Sequence, residues 1–129
     1  MRSIWVHLVI WSGVWALWAF VSRDNQASLP LLIIATTLLV GGAALAVYAN
    51  QLLWIPRLLR PGRRLRYAAA LGATLLVITL AVVVGIQLAY DVLWGPDPLR
   101  FGFWTNVGLD LLFVSLHVLG AAGLLALIR

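Results

Sequence analysis

The chain contains no cysteine, no lysine and no glutamate. Without cysteine it can form neither a disulfide nor a thiolate metal site, and cysteine usage says nothing about redox compartment. Charge is scarce as well. Only 10% of the 129 residues are charged, every base is an arginine and every acid an aspartate. A soluble domain carries about 25% charged residues, so this chain lacks the material for a water-facing surface. Sequence signatures of chemistry are missing too: there is no glycine-rich phosphate loop, no HExxH-type metal motif and no nucleophile elbow. Ser12 and Ser115 lie in apolar stretches with no base beside them. No soluble catalytic domain is legible, and no enzymatic activity is expected.

What is present is apolar length. The chain is 64% hydrophobic, with a mean hydropathy of +1.03. A bilayer core of about 30 Å needs about 20 apolar residues at 1.5 Å rise per residue. Four segments reach that length, roughly 4–22, 30–54, 66–90 and 103–128. Barrel strands would instead show about ten residues of alternation. The expected fold is therefore all-α, a single four-helix transmembrane domain spanning residues 1–129. A cleaved signal peptide would also place Arg2 ahead of an apolar run. Here, however, Trp5, Trp11, Trp15 and Trp18 make the run bulky, and no small-x-small cleavage site precedes the polar loop Arg23–Ser28. The first segment reads as a retained helix.

The arginines set an orientation. Five of them, Arg57, Arg60, Arg63, Arg64 and Arg66, fall in the short loop between the second and third spans. The loop after the first span holds Arg23 beside Asp24, and the loop Asp91–Gly102 holds Arg100 against Asp91 and Asp97. Short arginine-rich loops stay cytoplasmic, which puts both termini inside, with Arg2 and Arg129. The net charge of +5 then reflects topology, with anionic lipid headgroups as partners of the five loop arginines rather than nucleic acid. Trp54 and Tyr67 are expected at the inner interface. Tyr90, Trp94, Phe101, Phe103 and Trp104 are expected in an outer aromatic belt. Pro30 and Pro56 mark the start and the end of the second span, and Trp94–Pro98 reads as a turn.

Polar side chains at membrane depth are costly, face the bundle interior and often mark function. Asn106, Asp110 and His117 lie four and seven residues apart, which puts them on one stripe of the fourth helix. That stripe reads either as a proton- or ligand-responsive face with His117 as a switch, or as interhelical hydrogen bonding. The second reading is favoured, because no other span carries an acid to complete a proton relay. By depth, Gln87, Asn106 and Asp110 form an outer polar layer, and His7, Asn50 and Gln51 an inner one. His7 is expected to touch Asn50, directly or through one water, and Asp110 to lie close to Gln87 or another polar group. Small-residue runs at Gly41–Ala44, Ala68–Ala70 and Gly120–Gly123 permit close helix approach. His7 and His117 do not make a haem pair by spacing, although one on each of two helices could ligate a group between them. No cofactor and no metal site are expected.

Two stretches resemble a known family. His7-Leu8-Val9-Ile10-Trp11 is similar to the H-x-x-x-W opening of LytS-like sensor histidine kinases. Tyr48-Ala49-Asn50-Gln51-Leu52-Leu53-Trp54-Ile55-Pro56-Arg57-Leu58-Leu59 resembles their Y-x-N-x-x-x-L-I-P-x-L-L signature, with mild departures at Gln51 and Trp54. The basic turn followed by Arg66-Tyr67 also fits. The specific part of the resemblance covers about a dozen residues near one end of the first two spans. The resemblance implies the four-helix membrane module that precedes a cytoplasmic kinase in that family. The kinase's phosphoacceptor motif P-H-F-L-F-N is not found in this sequence, and neither His7 nor His117 sits in such a context.

The function expected is that of a non-catalytic membrane sensor or signalling module in a two-component system of the bacterial inner membrane, working beside other membrane helices in a homodimer or larger complex. The rival from another class is a small structural accessory subunit of a respiratory or photosynthetic complex, which seven tryptophans packing against neighbours would suit. A small transporter is disfavoured, because neither an inverted repeat nor a broken helix is evident.

Overall fold

A computed structural model describes residues 2–24, 28–93 and 102–128. Among these residues the chain is helical, with no strand. Its four helices are α1 (Arg2–Ser22), α2 (Leu29–Leu58), α3 (Arg64–Leu93) and α4 (Phe103–Ile128). Each has the length and apolarity needed to cross a membrane, as the composition requires. The protein is a four-helix membrane bundle. Of the residues named in the sequence reading, Trp94, Asp97, Pro98, Arg100, Phe101 and Arg129 lie outside the described residues.

Local chemistry sets the helix ends. At the end of α1 the Arg23 guanidinium donates to the Phe20 carbonyl at 2.7 Å and stacks 4.0 Å from the centroid of the Phe20 ring. It thus covers carbonyls that a helix terminus leaves without partners. Extended Ser28 caps α2, its hydroxyl accepting from the Leu31 N–H at 3.4 Å, and Pro30 sits in the first turn, where no N–H is needed.

The second helix is longer than its apolar run. It passes through Pro56 to Leu58 because residues Asn50–Trp54 widen into a π-helical turn, with the Ile55 N–H bonded to the Asn50 carbonyl. In a regular α-helix, Pro56 would leave the carbonyl four residues back without a donor and push its ring against it. A widened turn just before the proline moves those carbonyls aside. The chain then reverses over Arg60-Pro61-Gly62-Arg63, where the Arg63 N–H bonds the Arg60 carbonyl at 3.0 Å and Gly62 takes φ +82. Pro followed by a positive-φ glycine is the residue order of a type II turn.

The bundle is not four equivalent helices. α2 packs along α1, α3 and α4, while α3 and α4 pack on each other. The buried core lies among these three helices: Ala46 and Val47 of α2 meet Val114 and Val118 of α4, flanked by Leu71, Leu75 and Ile78 of α3. α2 and α3 approach closely at Gly42, where a β-carbon would lie 2.7 Å from Val82 Cγ2. Ala43 beside it is fully buried, but the other glycines of the small-residue runs do not pack this way. Gly41, Gly120 and Gly123 have open space where a side chain would go, because the 100° step of a helix turns them outward. Among its described side chains, α1 contributes no buried residue. It lies on the outside of the three-helix core.

Candidate functional site

The site is built from the polar groups that join helices. Trp11, Trp15 and Trp18 recur four and three residues apart, so they fall on one face of α1. All three are half-buried, whereas Trp5, about 120° round the helix from Trp11, is 70% exposed. Each indole of the stripe donates its N–H across a helix boundary. Trp11 bonds the Tyr48 hydroxyl at 2.7 Å and Trp15 the Thr37 hydroxyl at 3.1 Å, both on α2. Trp18 bonds His117 Nε2 of α4 at 3.2 Å. A stripe of indole N–H groups in lipid would be costly without acceptors, and these bonds hold an otherwise peripheral helix in register.

Tyr48 also lies 2.6 Å from His7 Nδ1. The indole N–H of Trp11 can only donate, so the Tyr48 oxygen accepts from it. The one phenolic proton is then free for Nδ1. An order of donation from Trp11 to Tyr48 to His7 satisfies all three groups, with the His7 proton on Nε2. His7 itself is exposed, with its ring 5.3 Å from that of Tyr48.

The other side of α2 carries a separate link. Asn50, 1% exposed and the first residue of the π turn, accepts the Tyr67 hydroxyl at 2.6 Å through Oδ1. Trp54, at the end of that turn, donates to the Thr74 hydroxyl at 3.0 Å, and Thr74 in turn bonds the Ala70 carbonyl at 2.8 Å. These bonds tie α2 to α3. The expected inner polar layer therefore divides in two. Asn50 and Tyr48 are two residues apart, so their side chains point to nearly opposite sides of the helix. His7 takes Tyr48 as its partner and Asn50 takes Tyr67, in place of the expected contact between His7 and Asn50. Gln51 sits between them with Nε2 buried and no hydrogen-bond partner among the described residues.

On α4 the stripe Asn106, Asp110, His117 is half-buried, as is Gln87 on α3. No hydrogen bond joins Gln87 to Asp110 among the described residues. His117 has both ring nitrogens engaged: Nδ1 lies 2.8 Å from the Phe113 carbonyl and Nε2 faces Trp18. Phe113 completes the contact, 4.7 Å edge-on from Trp18 and 4.3 Å from His117 between ring centroids. Tyr90, expected in a lipid-facing belt, is instead 3% exposed and points into the bundle, while Trp104 does face outward at 74%. Arg57, Arg60, Arg63, Arg64 and Arg66 are all exposed, and Arg60 donates to the Pro56 carbonyl at 3.1 Å.

Trp15, Trp18, Thr37 and Thr74 were not among the residues singled out for the site, and the spacing of the three tryptophans was the signal for the first two. Among the described residues no group of three histidine, cysteine or acidic side chains could hold a metal ion. The hydrogen bonds of the arrangement hold the helices in a defined register. No family model, no curated relative and no solved structure matches this chain.

Proposed function

We propose that this chain is a non-catalytic sensory module of a bacterial cytoplasmic membrane, with both termini and the Arg57–Arg66 loop in the cytoplasm. A stimulus acting in the bilayer or at the outer face shifts the packing of α1 on α2 and α4. α4 carries the shift inward to Arg129 and a cytoplasmic histidine kinase partner. The observation that supports this most is the convergence of the motif residues. His7, Trp11 and Tyr48, which carry the resemblance to LytS-like sensors, form one hydrogen-bonded chain between α1 and α2. That chain lies close in sequence to the π turn that begins at Asn50, and such turns are frequent at functional sites. A signalling element requires two packings close in free energy, and a peripheral helix held by a few directional bonds is the part of this bundle that shifts at least cost to the core. The loop arginines anchor the module to anionic headgroups.

The test is photo-crosslinking in the native membrane from a benzophenone side chain placed at Leu127, at the inner end of α4. The expected product joins the chain to a protein carrying a phosphoacceptor histidine and a nucleotide-binding domain. The phosphorylation level of that protein should change when Tyr48→Phe breaks the motif chain. Crosslinks confined to electron-transfer subunits, in stoichiometric yield, would assign the chain to a respiratory or photosynthetic complex and overturn the sensor reading.

A further inference from the structure

The contact between Trp18 and His117 is fixed in polarity from both sides. The Phe113 carbonyl can only accept, so His117 Nδ1 carries a proton. The Trp18 indole N–H can only donate, so Nε2 must present its lone pair. Both constraints select one neutral tautomer. A second proton has one place to go, Nε2, and there it meets the indole N–H head-on at a separation of 3.2 Å. Two donors cannot share that line, so the ring and the indole must part.

What parts with them is a helix. Among its described side chains α1 contributes no buried residue, and it packs mainly along α2. Trp11 packs against the core cluster, but among the described residues the hydrogen bond and ring contacts that tie α1 to α4 run through Trp18, to His117 and Phe113. We propose that His117 is a proton-operated latch: its neutral Nδ1–H form holds α1 against α4, and protonation at Nε2 ejects Trp18 and releases the outer part of α1 from the three-helix core. The proposal rests on the sensor reading only in treating that release as a signal.

Few other charges bear on the ring. α1 offers only Trp18 at this point, its ionisable neighbours being His7 and Arg23, eleven and five residues away. Between Leu29 and Val47, α2 has no ionisable side chain, and those of α3 (Arg64, Arg66, Tyr67, Tyr90, Asp91) lie in its first and last turns. On α4 the nearest is Asp110, seven residues and about 10 Å along the same stripe.

The absence of cysteine makes the test direct. Spin labels at Leu17→Cys on α1 and Leu88→Cys on α3, both 58% exposed, report the separation of α1 from the core in the full chain in lipid nanodiscs. Nitrogen-15 spectra of His117 report its tautomer and protonation as the sample is taken from about pH 8 to about pH 5. The expected result is the Nδ1–H tautomer at high pH. On acidification the imidazolium should appear, together with a rise of several ångströms in the inter-label distance. His117→Gln, whose amide oxygen still accepts from Trp18 but does not titrate, should hold the short distance throughout. Asp110→Asn should open as the parent does. An Nε2–H tautomer at high pH, a ring that stays neutral to pH 5, or an imidazolium that forms at constant distance would each overturn the latch. So would loss of the transition in Asp110→Asn. None of these outcomes depends on a kinase partner, so a failed latch and a failed sensor reading are told apart.

Discussion

The hydroxyl of Tyr67, in the first turn of α3, donates to Oδ1 of Asn50 at 2.6 Å, and so closes the α2–α3 hairpin over a turn of only a few residues. Asn50 is almost wholly buried, so its carbonyl oxygen has no route to water if the tyrosine loses its hydroxyl. Tyr67→Phe should therefore destabilise the protein by about 1–3 kcal/mol, the cost of leaving a buried acceptor unpaired. Asn50→Leu combined with Tyr67→Phe should recover much of that loss, because no polar group is then stranded. Thermal unfolding in detergent or nanodiscs measures both. A Tyr67→Phe protein as stable as the parent would mean that the bond contributes nothing.

The His7–Tyr48–Trp11 chain predicts an asymmetry. Tyr48→Phe strands two partners, the Trp11 N–H and His7 Nδ1. His7→Ala leaves the bond between Trp11 and Tyr48 intact. The tyrosine variant should be the more damaging, with a coupling between Trp11 and Tyr48 of about 0.6 kcal/mol, typical of interhelical hydrogen bonds in membranes. A double-mutant cycle with Trp11→Phe measures that coupling directly. Equal losses from Tyr48→Phe and His7→Ala would contradict the order of donation inferred here.

Adjacent glycines should behave oppositely. A β-carbon on Gly42 would lie 2.7 Å from Val82 Cγ2 and 3.2 Å from Ile78 Cγ2, while one on Gly41 would meet nothing within 4 Å. Gly42→Ala should cost about 1–3 kcal/mol through overpacking. Gly41→Ala should be neutral or mildly stabilising, since alanine is the better helix former. Val82→Ala combined with Gly42→Ala should relieve part of the clash. Melting temperatures of the three variants decide the matter.

The topology is tested at two introduced cysteines. Gly62→Cys, in the arginine turn, and Asp24→Cys, just past α1, should be labelled by an impermeant thiol reagent from opposite faces of the membrane. In intact cells, only Asp24→Cys should react. Labelling of both from one side would remove the four-span arrangement.

The spans were legible because length and apolarity alone decide whether a helix crosses a bilayer, and residues 4–22 and 103–128 need no tertiary information. The end of α2 was not. Pro56 reads as a stop, and nothing in a run of five apolar and amide residues announces a turn wide enough to carry a helix through it. Depth alone groups His7 with Asn50, whereas the hydrogen bonds join His7 to Tyr48 and Asn50 to Tyr67. Depth is one coordinate, and the 200° between Tyr48 and Asn50 is the other. Tyr90 was placed by its position near a helix end, although near the end of a long helix a ring can turn inward as easily as outward. The tryptophans of α1 were read for their bulk. Their spacing held the more useful information, since three indoles on one face must find three acceptors.

Those acceptors arrive late. Trp15 finds its partner 22 residues further along the chain, Trp11 at 37 and Trp18 at 99. During synthesis α1 precedes α2 and α4, so its indole donors are made before their acceptors. α2 supplies acceptors for two of the indoles, and the third stays open until α4 has been made. The contact to His117 therefore has to wait for the helix that also brings Val114 and Val118 into the core.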